Sequence, residues 1–468
     1  MLLEKLREYS ERLDLPPAMY QKTSIRWLID LDREGNLQGL VATEGKGGKN
    51  DRGKEFLAPH VGRSSGVRAK LLADNGEYIL GLARDKSKSA RVEVCHRAFV
   101  ELVKVCADTT NEPEIRAVLK FLEHLNLNII SLPGDFNPEH NLTFRVEGTM
   151  PIDLPSVRHF WAQTATDDTE DGSEPTTNLM ECLICGELRQ PVKRLPFKIK
   201  HIPGGQTPGM ALISANVPAF ESYGLEASLI APTCQECGER FSKAANDLIE
   251  GERTHITVGP LVYIFWTKEE HSFSVAFLLS TPQPDEVQAL IHSVFSGKDA
   301  ATDIGSTHFY ATAFSASGAR VVVRDWLDTT VEEAKRNLAR YFALQRIVNH
   351  DGTEGKPLGL YALAASTVPS TVRDINKELP PNVPKALLHM ALKGGQLPME
   401  LLFQAVRRNR MEQGKGITRN RMALIKMVLL SKQLHFSLEE TMVQLDSTNR
   451  NPAYLCGRLL AVLVSVHK

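Results

Sequence analysis

The chain has 468 residues, of which 42% are hydrophobic, and its formal net charge at pH 7 is −1. This length predicts about two to four domains or one extended body, and the near-neutral charge argues against a freely diffusing, strongly basic nucleic-acid-binding protein. No apolar run reaches the ~18 to 20 residues of a membrane span, and the amino terminus lacks the apolar block of a cleavable signal, so we expect a soluble, cytoplasmic protein without a membrane partner.

The first elements are predicted from the spacing of apolar residues. Residues 2–13 place leucines and a tyrosine at helical intervals. Residues 24–32 and 37–43 predict a strand pair that turns at residues 34–36.

Residues 44–66 are rich in Gly, Lys and Arg and poor in apolar anchors. Two interpretations remain open: a mobile surface loop, or a DNA-contacting loop whose basic side chains neutralise phosphates. The candidate contacts are Lys46, Lys49, Arg52 and Lys54. A nucleotide-binding P-loop is excluded, because Gly39 and Gly45 are one residue too far apart and Gly47 replaces the Ser or Thr that holds Mg²⁺.

A second group of candidate DNA contacts follows, before a predicted strand over residues 77–83. Its members are Arg63, Arg68, Lys70 and Asn75. The three basic residues suit backbone phosphates better than base edges. Asn75 lies in an Asp-Asn-Gly sequence, where it is equally a turn residue and a base reader. Residues 44–91 carry a net charge of +5, which predicts a basic surface.

Two helices are predicted over residues 93–107 and 114–127, with Cys95 and Cys106 as buried thiols. A strand is predicted over residues 141–147.

Two identical cysteine turns bracket about fifty residues. They are Cys182-Leu183-Ile184-Cys185-Gly186 and Cys234-Gln235-Glu236-Cys237-Gly238. Four cysteines in two C-x-x-C turns are the soft ligands of a closed tetrahedral Zn²⁺ site, which is structural because no coordination position stays open. A redox pair, a disulfide framework and two chance cysteine pairs are the alternatives. No H-x-E or H-E-x-x-H sequence accompanies the cysteines, so we assign no catalytic residue.

Between the cysteine turns, residues 211–216 predict a strand with Phe220 and Tyr223 as aromatic anchors. We expect both side chains to be buried, and stacking of Tyr223 on a base is the less favoured interpretation.

Beyond the second cysteine turn, the pattern predicts strands followed by helices. Strands are predicted over residues 257–266, 273–280, 308–314 and 320–326, and helices over residues 285–295 and from a capping box at Thr330. Helices are also predicted over residues 385–393, 398–411, 418–434, 437–445 and 455–466. Residues 407–432 carry a net charge of +7, which indicates either a nucleic-acid contact or an ordinary solvated helix face.

Several segments, taken in order, carry a resemblance to one family. They are MLLEKLREYSERL (1–13), TFRVEG (143–148), VRHFWA (157–162), HIPGGQTPG (201–209), ALISANVPAFESYG (211–224), ARVVVRDWL (319–327) and NPAYLCGRLLAVL (451–463). Over almost its whole length, the chain resembles the large subunit of the type I-C CRISPR surveillance complex, Cascade. The zinc site is inferred from the cysteine spacing and not from this resemblance.

The resemblance implies a subunit without enzymatic activity in an RNA-guided complex. In that family the amino-terminal region recognises the protospacer-adjacent motif (PAM), the short duplex that flanks the target. The implied partners are the guide RNA, target double-stranded DNA, the backbone and small subunits of Cascade, and a recruited helicase-nuclease. The resemblance also implies a chain that continues beyond Lys468.

The predicted fold class is α+β, a multi-part mixed amino-terminal body with an inserted zinc-ribbon-like module, followed by an all-helical carboxy-terminal region. The predicted domains are an amino-terminal region with the basic loop (1–110), a helix, strand and acidic linker (111–178), the zinc-binding module (179–255), an α+β layer (256–380) and the helical region (381–468). A stand-alone zinc-ribbon nucleic-acid-binding protein and a metal-dependent nuclease are the alternative functions.

Overall fold

A computed structural model describes the chain in segments. They are residues 2–45, 51–63, 66–83, 89–127, 130–167, 179–215, 217–270, 273–296, 307–349, 351–412, 418–432, 443 and 445–466. Apart from the first two residues, the first of two compact units comprises Leu3–Lys198 and Ile213–Ala244, and the second comprises Ile199–Leu212 and Ala245–Lys468. Both units combine helices with strands, so the predicted α+β class is confirmed. The five-part division into domains stays a prediction.

The first unit is built around a mixed four-stranded sheet. Its elements are α1 (Leu2–Ser10), β1 (Tyr20–Ile25), β2 (Trp27–Leu31), β3 (Leu37–Ala42), β4 (Lys54–Pro59), β5 (Ala73–Asn75), α2 (Gly76–Ile79), α3 (Ser89–Thr110), α4 (Pro113–Glu123), β6 (Asn141–Val146), α5 (Pro155–Asp167), β7 (Met180–Glu181), β8 (Leu188–Arg189) and most of α6 (Gln235–Glu250). The sheet order is β3-β2-β6-β5, with β2 and β6 parallel. β1 pairs with β4, and β7 pairs with β8, each antiparallel.

Helices α3 and α4 cover this sheet. α4 packs on β2 and β6, and α3 packs on α4. α4 buries Ile115, Val118 and Leu122, whose helical spacing forms one apolar face. Cys95 and Cys106 are buried on α3, as predicted.

Two predictions in the first unit are wrong. The loop predicted over residues 44–66 is wrong for Lys54–Pro59, which form the regular strand β4. This strand pairs with β1 along its full length. Residues 77–83 do not form a strand, because the chain turns into the short helix α2 after β5. The side chain of Asn75 caps α2 by accepting from the N–H of Tyr78 (3.2 Å). A short buried apolar run fits helix and strand equally well, and this helix cap decides between them.

The second unit packs helices against an antiparallel sheet. Its elements are β9 (His255–Val258), β10 (Leu261–Thr267), α7 (Val275–Ser280), α8 (Pro284–Ser296), β11 (His308–Ser317), β12 (Arg320–Thr330), α9 (Val331–Leu344), α10 (Leu360–Ala365), α11 (Ile375–Glu378), α12 (Asn382–Lys393), α13 (Met399–Met411), α14 (Arg419–Ser431) and α15 (Pro452–Val466). The sheet order is β12-β11-β10-β9. α9 contacts β11 and β12 of this sheet, and α8, α12 and α14 pack against α9.

The predicted capping box at Thr330 is confirmed, since its hydroxyl accepts from the N–H of Glu333 (3.2 Å) at the start of α9. The single strand predicted over residues 257–266 is wrong, because Gly259 has a φ of +61° and the chain turns there between β9 and β10. The strand predicted over residues 273–280 is also wrong. That segment forms α7, whose buried side chains recur at helical intervals.

Most of the helix predicted over residues 437–445 lies outside the described residues. Within the part of the chain that the structure describes, no helix combines the length and the apolar character that a membrane span requires.

Candidate metal centre and nucleic-acid contacts

The first cysteine pair lies in the turn between β7 and β8. The N–H of Cys182 donates to the carbonyl of Glu187 (2.9 Å), and the N–H of Gly186 donates to the carbonyl of Cys182 (2.8 Å). Gly186 has a φ of +72°, and the space where its Cβ would lie is open. Glycine is therefore favoured here by backbone conformation and not by packing.

The second cysteine pair lies at the start of α6. The N–H of Cys234 points to the sulfur of Cys182 at 3.4 Å, which links the two turns. Cys237 lies in the first turn of α6. Gly238 permits close packing, because a Cβ atom there would approach Leu195 to 3.0 Å. The two C-x-x-C-G turns thus use their glycines for different physical reasons.

The sulfur atoms of Cys182, Cys185, Cys234 and Cys237 all lie within 4.8 Å of one another. Zn–S bonds of about 2.3 Å in a tetrahedron separate the sulfurs by about 3.8 Å, so this spacing accommodates such an ion. All four are free thiols, and three of them are buried. The set can therefore hold a metal ion. Among the described residues, no other group of three or more His, Cys, Asp or Glu side chains is placed to do so.

Hydrogen bonds and burial shift the pKa values of three of the thiols. The bond with the Cys237 side chain lowers the pKa of Cys234 to about 5, and the same bond raises the pKa of Cys237. Burial raises the pKa of Cys185. Metal binding requires the thiolate form, so a bound ion must displace the protons that these thiols carry.

A buried ion pair fastens α6 to the amino-terminal segment of the same unit. Glu239 accepts from the N–H of Met19 (3.0 Å), and Lys243 donates to Glu239 and to the carbonyls of Pro16 (3.2 Å) and Pro17 (3.3 Å). Each charged side chain is only 9% exposed. Burial raises the pKa of Glu239 and lowers the pKa of Lys243, and the hydrogen bonds between them offset that cost. Sequence reasoning missed this pair, although its i, i+4 spacing was visible.

The basic loop after β3 is closed at its base. The carboxylate of Asp51 accepts from the N–H groups of Gly53 (2.9 Å) and Gly45 (3.1 Å), and these hydrogen bonds lower the pKa of Asp51. Arg26 donates to Asp51 (3.3 Å) and to the carbonyl of Thr43 (2.8 Å). The two ends of the basic segment are therefore held next to each other. Sequence reasoning missed Arg26 and Asp51, since nothing in the local pattern pairs them.

The first group of DNA-contact candidates belongs to this loop. Arg52 and Lys54 have exposed side chains, and Lys46 and Lys49 lie outside the described residues. Lys54 begins β4, with its amino group 5.8 Å from the centre of the Phe56 ring. Contact of these residues with DNA stays a prediction.

The second group of candidates surrounds a buried carboxylate. Asp74 is 1% exposed and forms a two-point ion pair with the guanidinium of Arg63. Asp74 also accepts from the backbone N–H groups of Lys70 (2.9 Å) and Asn75 (2.8 Å). Arg63 donates further to the carbonyl of Arg68 (2.7 Å). The charge of Arg63 is thus already paired within the fold, and the DNA-contact role of this group stays a prediction.

The basic zone over residues 407–432 is not one surface. On α13, Arg407 and Arg410 are exposed beside Phe403, which is 65% exposed. On α14, by contrast, Arg421 is buried and donates to Glu412 (2.7 Å). Most of the exposed positive charge described here therefore lies on α13, and Lys432 adds one exposed charge directly after α14.

The two aromatic residues predicted as buried anchors, Phe220 and Tyr223, are exposed, so that prediction is wrong. Phe220 is 45% exposed and Tyr223 is 100% exposed. The strand predicted over residues 211–216 is also wrong, since Ala211 and Ala215 form only isolated bridges. Pro218 and Gly224 turn the chain at this point, and turn residues outweigh the apolar residues between them.

A comparison with family models decides the class of protein. The model described as CRISPR-associated protein (Cas_Csd1) matches residues 3–468. The chain belongs to this family. This is the type I-C large-subunit family, so the chain is a subunit of a Cascade-type CRISPR complex that works with guide RNA and other Cas proteins. The resemblance found in the sequence is thereby confirmed at the level of the family. No curated protein matches the chain.

Proposed function

We propose that this subunit recognises the PAM duplex beside the target, helps to open the DNA and recruits the helicase-nuclease. In such a complex, base pairing with the guide RNA reads the target sequence, and the protein inspects only the short flanking duplex. The observation that carries the proposal is the closed base of the basic loop. Asp51 and Arg26 hold its ends together, and Arg52 and Lys54 are exposed beside it.

The charge distribution supports the same proposal. The whole chain has a net charge of −1, so it has no general attraction for nucleic acid. Attraction must then come from local groups of Lys and Arg, and the glycines of this loop let a phosphate backbone approach them closely.

The test replaces Lys46, Lys49, Arg52 and Lys54 together by alanine in the assembled complex. Each lost phosphate contact lowers the slope of log affinity against log salt by about 0.9, so we expect the slope for duplex DNA to fall by about 3 to 4. The matched control replaces Arg91, Arg97, Lys104 and Lys120, which are exposed on α3 and α4 and carry the same total charge. An unchanged slope in the loop variant, or an equal fall in the control, contradicts the proposal.

We also propose that Zn²⁺ fills the cysteine set in a structural role. Two C-x-x-C turns with mostly buried sulfurs are the donor set that Zn²⁺ favours in a reducing compartment. With four sulfur ligands the ion has no open position, so it cross-links the two turns and supplies no reaction chemistry.

We further propose that the subunit is not an enzyme. The sequence contains one D-x-D spacing, Asp30-Leu31-Asp32, and both carboxylates have other partners. Asp30 pairs with Arg145, and Asp32 accepts from the side chain of Asn36 (2.9 Å). Both carboxylates therefore already have structural partners within the fold.

A further inference from the structure

The loop between Ala215 and Ala227 has a fixed stem, and we call it the Tyr223 loop. Ala215 and Ala227 exchange two backbone hydrogen bonds (2.9 and 3.2 Å). Next to them, the buried hydroxyl of Ser228 donates to the carbonyl of Ile213 (3.0 Å). Residues 217–224 are all exposed, so a hydrogen-bonded stem presents a continuous exposed end.

The exposed end is ordered by its own backbone. The N–H of Phe220 donates to the carbonyl of Val217 (2.9 Å), and the N–H of Leu225 donates to the carbonyl of Ser222 (2.9 Å). The loop therefore needs little further ordering when it meets a partner, which lowers the entropic cost of binding.

Tyr223 lies in a strained position without compensation inside the chain. Its φ is +55° and that of Gly224 is +70°, as in a type I′ turn, where Asn, Asp or Gly is the low-energy residue. A bulky residue at positive φ is disfavoured, and a side chain that is 100% exposed gains nothing from burial to offset this. Strain of this kind is characteristic of binding sites.

The chemistry of the loop favours a protein over a nucleic acid. Residues 217–226 contain no Lys or Arg, and Glu221 and Glu226 are both exposed. Lys193 lies 3.7 Å from Glu226 in an exposed pair, and within the part of the chain that the structure describes no salt bridge involves Glu221. The negative charge of Glu221 repels phosphates, whereas exposed Val217, Phe220 and Tyr223 suit an apolar pocket.

We propose that the Tyr223 loop docks into an apolar pocket with a Lys- and Arg-rich rim on another protein subunit of the complex. Tyr223 fills the pocket, and Glu221 and Glu226 face the basic rim. This inference rests on the proposed function, because it names the surface by which the subunit joins its assembly.

The test measures binding of the chain to the type I-C assembly purified without this subunit. The informative variant is Tyr223→Asn, because Asn tolerates positive φ and keeps the turn while removing the aromatic ring. A central aromatic anchor is worth at least about 2 kcal/mol, so we expect binding about 30-fold weaker. We expect the thermal midpoint to stay equal or to rise. Val94→Gln, an exposed apolar position on α3, is the control and should bind normally.

A second variant tests the charge of the rim. Glu221→Lys should slow association with the same assembly and reverse the salt dependence that Glu221 contributes, since like charges then face each other. Equal binding of wild type and both variants overturns the docking inference and leaves the proposed function untouched. A wild-type chain that does not bind the assembly overturns both.

Nucleic acid is the alternative occupant. If Tyr223→Asn weakens binding to free guide RNA or to a single-stranded oligonucleotide as much as to the assembly, the ring stacks on bases and the protein-docking inference is wrong. Binding of these probes that Tyr223→Asn leaves unchanged, together with weaker binding to the assembly, supports it.

Discussion

Lys426 illustrates how a basic residue can serve the fold and not a ligand. It lies on α14, donates to the carbonyl of Arg346 and is largely surrounded by protein. Burial lowers the pKa of Lys426 to about 8, since the charged form loses its hydration. At neutral pH the fold therefore bears the cost of a partly desolvated charge.

This cost predicts a pH-dependent effect of Lys426→Met. The pKa is about 8 in the fold and about 10.4 in the unfolded chain, so the unfolded chain binds more protons between these values and stability rises with pH across that window. Solvent still reaches this half-buried group and screens its charge, so the gain of the variant over wild type should be about 1 to 2 kcal/mol at pH 7. The gain should be much smaller near pH 10. Urea unfolding at both pH values measures this difference.

The control for that experiment is Lys432→Met at the exposed end of α14. It should change stability little and equally at both pH values. A Lys426→Met chain that is less stable at pH 7 than at pH 10, relative to wild type, contradicts the argument.

At the same scale, the sequence identified residue types but not their partners. Arg63 was visible as a basic residue, but its ion pair with Asp74 joins positions eleven residues apart and follows no helical or strand period. Tyr223 was predicted to be buried because aromatic side chains usually are. The turn that exposes it depends on the backbone φ values, and residue type alone does not specify those values.

At the scale of elements, long amphipathic segments could be predicted and short apolar runs could not. α4 and α8 were predicted because their apolar residues repeat over several turns. α2 and α7 were predicted as strands, since four to six residues do not separate a period of two from a period of 3.6. The spacing of the cysteines correctly predicted that the four thiols come together, because two C-x-x-C turns are the usual source of four sulfur ligands for one metal ion.

The four cysteines connect three secondary-structure elements, β7, β8 and α6, and this connection can be tested. Cys234→Ser should lower the zinc content of purified protein from about one ion per chain to near zero. Hydrogen exchange should rise in β7, β8 and the first turn of α6, which the ion joins. The later turns of α6 should exchange less readily, because Glu239 and Lys243 still fasten them to residues 16–19.

Cys456→Ser is the matched control, since this thiol is exposed on α15. It should leave the zinc content and the exchange pattern unchanged. Wild-type protein that holds far less than about one zinc per chain, purified without chelators, means that the four cysteines have another role.

At the scale of the whole molecule, the order of short segments identified the family although each segment alone is weak. Family membership extends over residues 3–468. It does not identify the residues that would contact nucleic acid, because such contacts depend on loop side chains whose partners lie outside the chain.

The proposal for the whole molecule predicts two results. The purified chain alone should not cleave DNA in the presence of Mg²⁺. The assembly without the chain should still pair its guide RNA with single-stranded target but should lose its preference for a matched flanking duplex. Cleavage by the chain that is lost on mutation of its own carboxylates, or a preserved preference without the chain, contradicts the proposal.

The hydrogen bonds from Gly45 and Gly53 to Asp51 are made entirely by residues outside positions 46–50. Because the anchoring contacts use backbone N–H groups and one carboxylate, substitutions at positions 46–50 leave them intact. Substitutions at these five positions should therefore leave the sheet beneath unaltered.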